Sequence, residues 1–219
     1  EKMCDADPDE QESLIREAAR LQERLEELDW YEYKSIMLSI AYNMKITDEM
    51  LERLKAQEKF CPQFHLSLQS GSEATLKRMN RLYTAEEYYS LTKKIKNLWQ
   101  NGSITTDIMV GFAGETEEEF ARSLAFAEEI GFSRMHCFPY SRRAGTLAAK
   151  ATGQVPQAEK LRRNKQMIAL EKAMREAYES ALVGTTVSVL TETVLPDGRC
   201  DGYTDTYVPV VVSGAAPGE

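Results

Sequence analysis

The feature that most constrains this chain is a repeated order of short apolar run, polar turn and amphipathic helix from Lys34 onward. KSIMLSIAY reads as a strand. TDEMLERLKAQEKF, behind Thr47 as an N-cap, reads as a helix, and QFHLSLQ as a short strand ending at Ser70-Gly71. Thr84 with Glu87 makes a capping box that opens a helix to about Trp99. Thr116 with Glu119 makes a second, for a helix through Ile130. SITTDIMVG, a strand ending in glycine, lies between these helices, and SRMHCFPY, another short strand, follows them. Strand and helix alternating over short connections predict an α/β fold with a parallel sheet, either a barrel or part of one.

Pro156 is placed in the first turn of a long helix to Leu182, with Met167, Leu170, Met174, Tyr178 and Ala181 as its core-facing stripe. After Gly184 the pattern turns β-rich. TTVSVLTETV and YVPVVV predict antiparallel strands joined by the turn-rich LPDGRCDGYTD. Residues 1–30 carry eleven acids and four bases, and Leu14, Ala18, Leu21, Leu25 and Leu28 recur at helical spacing. Asp5, Asp7 and Asp9 precede that stripe, where acids favour a helix N-terminus. The expected organisation is an acidic amphipathic helix over 1–30 that packs on its own domain, an α/β domain over 31–183 and a β-rich segment over 184–219.

A net charge of −8 excludes bulk attraction to nucleic acid or anionic membrane. No apolar run approaches the roughly 20 residues of a membrane helix. The polar, acidic start is unlike a signal peptide, so a cytoplasmic protein is expected. The first residue is Glu1 and the last segment is SGAAPGE, so both ends read as cuts. Cys4, Cys61, Cys137 and Cys200 are far apart and read as reduced thiols.

Ligands of parallel α/β folds sit at the C-terminal ends of strands. Three strand ends therefore matter. In HLSLQSGS, Gln69 and Ser70 are polar and Gly71 admits close backbone approach; a simple polar turn is the competing reading. In TDIMVGFAGETEEEF, Asp107 interrupts an apolar strand, and Gly111, Gly114 and Glu115 form a turn before a helix N-terminus, a place suited to an anion. The turn lacks the Gly-Lys-Ser/Thr ending of a Walker A loop. In MHCFPYSRRAGT, His136 and Cys137 are adjacent and face opposite sides, which argues against joint metal ligation. A satisfied histidine and a buried cysteine are the plainer reading. Residues 133–166 hold eight Lys/Arg against Glu159 alone, an anion-facing band or a merely solvated face. There is no HExxH or paired CxxC, and no residue is assigned as catalytic or metal-ligating.

Taken together, HLSLQSGSEATLKRMNRLYTAEEY, TDIMVGFAGETEEEF and HCFPYSRRAGTLAA resemble the radical S-adenosylmethionine (SAM) methylthiotransferases, in that family's order and at about its spacing. The FPYS-x-R-x-GT-x-A-A form and the DGYTDTYVPV tail are most similar to the branch that modifies threonylcarbamoyladenosine beside the tRNA anticodon. The resemblance implies a partial TIM-like barrel followed by the front of an RNA-binding TRAM β-domain. It implies that Gln69, Ser70, Gly71, Asp107, Gly111, Gly114 and Glu115 line the SAM pocket, with Phe138 near the adenine. Filling the backbone approach at Gly111 with valine should then abolish binding. Any contact with a tRNA anticodon stem-loop is expected through Arg142, Arg143, Lys160, Arg162 and Arg163.

The departures are as informative. The family's CxxxCxxC loop and three further cysteines, which hold two 4Fe–4S clusters, have no counterpart in this sequence. SIMLSIAYN stands where a strand ending Ser-Leu-Glu-Pro is usual, residues 1–60 match poorly, and Ala113 replaces the proline of the GFPGE turn. The TRAM-like part carries five acids against Arg199. The expectation is a methylthiotransferase fragment with feeble SAM binding and no activity alone. The alternatives are a non-catalytic RNA-binding or assembly module, or another radical SAM enzyme such as an oxygen-independent porphyrinogen oxidase, which the TRAM-like tail disfavours.

Overall fold

The computed structural model describes residues 46–218. The acidic helix expected over 1–30 and the KSIMLSIAY strand lie outside the described residues. The described part opens with α1 (Asp48–Lys55), where the Thr47 hydroxyl accepts the Met50 N–H at 3.2 Å. Asp48 and Glu49 in its first turn and Arg53 and Lys55 in its last suit the helix dipole.

Three strands follow, β1 (Gln63–His65), β2 (Ser103–Val110) and β3 (Arg134–Pro139), parallel and in the order β1-β2-β3. Helices α2 (Glu73–Arg78) and α3 (Ala85–Leu98) connect β1 to β2, and α4 (Glu117–Ile130) connects β2 to β3. Both expected capping boxes are formed, at Thr84–Glu87 and Thr116–Glu119. The chain is thus mixed α/β, and the sheet fits part of a TIM-like fold. Alternation in β2 sets its two faces. Ile104, Thr106, Ile108 and Val110 are buried with Leu76, Tyr88, Ile95, Phe120 and Ala127 of the helices. Thr105, Asp107 and Met109 point the other way and stay half-buried.

β1 is shorter than the expected QFHLSLQ. The Leu66 N–H still donates to the Thr105 carbonyl at 2.9 Å, and beyond it side chains replace the ladder bonds. The Thr106 hydroxyl accepts the Leu68 N–H at 2.9 Å and donates to the Leu66 carbonyl at 2.6 Å. The Tyr88 hydroxyl donates to the same carbonyl at 2.7 Å. Pairing then resumes, with Gln69 N–H on the Asp107 carbonyl at 2.8 Å and Met109 N–H on the Gln69 carbonyl at 2.9 Å.

After β3 come α5 (Leu147–Lys150) and α6 (Gln157–Leu182). Pro156 is the N-cap of α6 and not a first-turn residue. The expected apolar stripe is only partly core: Met167 is fully buried, Leu170, Met174 and Tyr178 are half-buried, and Ala181 is exposed. Lys160 and Arg163 are the other buried residues of this helix. The Tyr178 hydroxyl donates to the Asn101 carbonyl at 2.8 Å, so α6 runs back along the sheet from its C-terminal end to the start of β2.

The last elements are β4 (Val189–Val194), β5 (Cys200–Thr204) and β6 (Pro209–Val212), an antiparallel sheet in that order. β5 lies inside LPDGRCDGYTD, read from sequence as a turn-rich connection between two strands. Its Asp and Gly mask a strand because Gly202 is there for closeness: a Cβ would stand 2.9 Å from the Thr191 Cα of β4.

Thr106→Val keeps the side-chain volume and strands the Leu68 N–H, while the Tyr88 hydroxyl still serves the Leu66 carbonyl. The expected cost is ~1–3 kcal/mol, read from the urea midpoint, and Tyr88→Phe should cost less because Thr106 still serves Leu66.

Candidate functional site

Among the described residues, the face of the parallel sheet turned away from the helices is open and carries His65, Thr105, Asp107 and His136. Asp107 and His136 are register partners on β2 and β3. Asp107 Oδ2 accepts from the Ser67 hydroxyl at 2.9 Å and lies 3.2 Å from His65 Nε2, while Oδ1 lies 3.4 Å from His136 Nδ1. His65 Nδ1 is 3.0 Å from the Thr105 hydroxyl. The His136 and Phe138 rings sit 5.1 Å apart on the same side. Partial burial pushes the Asp107 carboxyl up, but Ser67, His65 and His136 outweigh it and hold it below the ordinary range. His136, read from the sequence as a satisfied histidine, has Asp107 as its partner, with its side chain 75% exposed. Cys137 faces the other way, where burial pushes its thiol up to about 12 with Glu171 adding to the effect. His65 and Ser67 were not singled out from sequence, although their alternation in His-x-Ser places both on one face of a strand.

The two neighbouring strand ends are closed by the protein itself. Gln69 adopts a left-handed φ of 65°, and its backbone is paired to β2. Ser70 is buried, with its hydroxyl 3.0 Å from that of Ser123 on α4. A Cβ on Gly71 would stand 2.7 Å from the Phe126 Cβ and 2.9 Å from the Ser123 Cα, so this glycine is required by helix packing and leaves no approach for a ligand. In the Gly111–Glu115 turn, the Glu115 carboxylate accepts the Gly111 N–H at 3.0 Å, and the Gly114 N–H donates to the Gly153 carbonyl at 2.8 Å. The helix N-terminus beyond it is filled by the Thr116–Glu119 box. The anion that this turn was expected to bind is therefore supplied internally. A Cβ on Gly111 would meet the Lys160 stem, so valine there would displace a lysine and not a ligand.

The basic band also divides. Lys160 and Arg163 are buried, contrary to expectation. Lys160 Nζ donates to the Tyr140 carbonyl at 2.9 Å, and burial, with Arg142 nearby, holds its amine below the usual lysine range. Arg163 binds Glu115 Oε1 at 2.7 Å and the Glu115 carbonyl at 3.1 Å, and it reaches Glu117 and Glu159 as well. Arg162 is paired with Glu117 and Glu159. Arg142 and Arg143 remain exposed, and Arg142 donates to the Ala149 carbonyl at 2.6 Å. A buried pair costs most when one charge is left alone. Arg163→Met should lower stability by ~3–5 kcal/mol, and adding Glu115→Gln should recover much of that in urea unfolding.

The sequence model of the Radical SAM superfamily matches residues 3–127, and so extends well upstream of the Phe64 start of the motif resemblance. Over 185 residues the chain is 37% identical to a threonylcarbamoyladenosine tRNA methylthiotransferase (MtaB) of Bacillus subtilis, covering 83% of this chain and 41% of that protein. The corresponding Thermotoga maritima protein is 36% identical over 174 residues, 80% of this chain and 40% of that one. A tRNA-2-methylthio-N(6)-dimethylallyladenosine synthase of Desulfitobacterium hafniense is 40% identical over 174 residues, 78% of this chain and 39% of that one. The chain thus spans about 40% of the length of the curated relatives it matches. With three strand-end motifs in order on a parallel α/β sheet, and this similarity to tRNA methylthiotransferases over most of its length, the chain belongs to the Radical SAM superfamily.

Proposed function

We propose that this chain is part of a cytoplasmic tRNA methylthiotransferase acting on threonylcarbamoyladenosine, and that it contributes a nucleoside-facing sheet without the iron ligands. The observation that carries this reading is Asp107 standing ionised on an open face beside Phe138, within a superfamily that uses SAM. A carboxylate accepts from hydroxyls and an aromatic ring stacks on a base, which suits the adenosine part of SAM. Asp107 and Phe138 would hold that part. Ser70, Gly71, Gly111, Gly114 and Glu115 act behind it, fixing the strand ends through packing and internal hydrogen bonds. When bound together with a cluster, SAM supplies hydrogen-atom abstraction from an unreactive carbon.

The cluster itself does not fit the described residues. A cubane needs thiolates gathered within a few ångströms. Cys61 is exposed ahead of β1, Cys137 lies in β3 against α6, and Cys200 is buried in β5. Among the described residues no three His, Cys, Asp or Glu side chains converge on a metal position. No step is therefore assigned through iron. The three-stranded β4–β6 sheet is assigned as the TRAM-like part, and the parallel sheet as part of a barrel.

Anaerobic reconstitution with iron and sulfide, then SAM and a strong reductant, should give no stoichiometric iron and no 5′-deoxyadenosine. Product formation would overturn the reading of an incomplete centre. SAM binding by calorimetry should be feeble and should vanish in Asp107→Asn. Contact with a tRNA anticodon stem-loop is assigned to Arg142 and Arg143, two exposed cations in the loop after β3. Reversing both to Glu should weaken filter binding and reduce the salt slope by about two phosphate contacts' worth. Unchanged curves would remove that loop from the interface.

A further inference from the structure

The chain contains only two histidines, from strands on either side of β2, and both turn to the same carboxylate. Neither is required for packing, since their side chains are 51% and 75% exposed. We propose that His65 and His136 are positioning residues that grip Asp107 by its two oxygens and leave it one acceptor direction, for a neutral hydroxyl donor of a bound nucleoside. The proposal rests on the nucleoside reading of this face.

The hydrogen bonds fix the roles. An ionised carboxylate only accepts, so the ring nitrogen facing it carries the proton: Nε2 in His65, hydrogen-bonded at 3.2 Å, with Nδ1 of His136 in the longer contact at 3.4 Å assigned the same role. His65 then accepts on Nδ1 from the Thr105 hydroxyl, 3.0 Å away, which holds its ring in plane. Of about four acceptor directions on a carboxylate, Ser67 and His65 take those of Oδ2, and His136 takes one of Oδ1. One direction on Oδ1 is left, and Phe138 lies on the same side of the sheet, its ring 5.1 Å from that of His136. A phosphate or carboxylate would be repelled there, whereas a sugar hydroxyl would be oriented. The two imidazoles reach different oxygens of the carboxylate.

The two contacts call for different amide replacements. Gln places its nitrogen near the position of His Nε2, and Asn places its nitrogen near that of Nδ1. His65→Gln with His136→Asn therefore keeps both donors, while His65→Leu with His136→Leu removes both.

Two measurements separate the outcomes. The first needs no ligand: the carbon-13 signal of the Asp107 carboxyl is followed against pH. The titratable groups facing Asp107 are His65 from β1, His136 from β3 and Tyr88 from α3 behind the sheet. Because these donors lower the folded-state value, the ionised form persists in the parent to lower pH. The double-Leu variant should move the midpoint up toward the ordinary carboxylate range, and the Gln/Asn variant should recover the hydrogen-bonded part of that shift but not the part due to the charge of His65. An unmoved midpoint in the double-Leu variant overturns the proposal. The second is binding of 5′-deoxyadenosine, read from amide shifts in β2 and β3. The double-Leu variant should bind about tenfold more weakly, at an unchanged urea midpoint, and the Gln/Asn variant should bind like the parent. Loss in both variants overturns the donor role. If Asp107→Asn loses binding while double-Leu binds as the parent, the clamp fails and the nucleoside site stands. If Asp107→Asn binds as the parent, or the parent's β2 and β3 signals do not respond, the nucleoside reading fails and takes the ligand half of the proposal with it.

Discussion

The contact on which the rest depends is the buried pair between Arg163 of α6 and Glu115 of the turn after β2, with 5% and 2% of their side chains exposed. One carboxylate oxygen accepts from both the Gly111 amide and the Arg163 guanidinium. The turn is thereby closed on itself and tied to a helix forty-odd residues later. Such a pair offsets its own desolvation only when its remaining bonds are satisfied. They are: Arg163 also meets the Glu115 carbonyl, Glu117 and Glu159. Burial raises the Glu115 carboxyl, against the pull of Gly111 and Arg163, so the pair is held by geometry and not by charge alone. Lys160, one turn earlier, completes the fastening by laying its stem on Gly111 and its amine on the Tyr140 carbonyl at the end of β3. Together these contacts fix where β2 and β3 end, and hence how their open face is presented.

That division of labour explains what could be read from the sequence. The α/β order, both capping boxes and the strands β2 and β3 were legible because each rests on local chemistry: a Thr–Glu pair three residues apart, or an apolar alternation of useful length. β1 was legible as a strand but not in its length, because residues 66–68 are held by the side chains of Thr106 and Tyr88, forty and twenty-two residues from Leu66. β5 was hidden because Gly202 signals a turn locally and a close strand contact only in three dimensions.

The site was half legible for the same reason. Asp107 stood out as a polar break in an apolar strand and Phe138 through the family resemblance, and both lie on the open face. The glycines and Ser70 were also singled out, but a glycine records only that something comes close, not what. At Gly71 it is the backbone of α4, and at Gly111 it is a lysine stem. The basic band failed on a different ground. A count of Lys and Arg along the sequence cannot separate cations that face solvent from those that face Glu115, Glu117 and Glu159, and α6 contains both kinds within four residues.

The two faces of β2 then carry two kinds of information. Its even-numbered residues are apolar or satisfied and bind the strand to α3 and α4. Beyond Ser103 its odd-numbered residues, Thr105, Asp107 and Met109, are half-buried on the other face. A carboxylate in that position is free to be hydrated, and burial there would penalise it. It is instead partly enclosed and still held ionised, by three donors drawn from β3, β1 and the segment just after it. Structure alone gives no stability reason for assembling donors from separate segments around one acidic side chain, since a Thr or Val would sit on an open strand face at lower electrostatic cost. The arrangement is intelligible as preparation for a ligand that the carboxylate meets already oriented, so that binding does not have to supply the ordering.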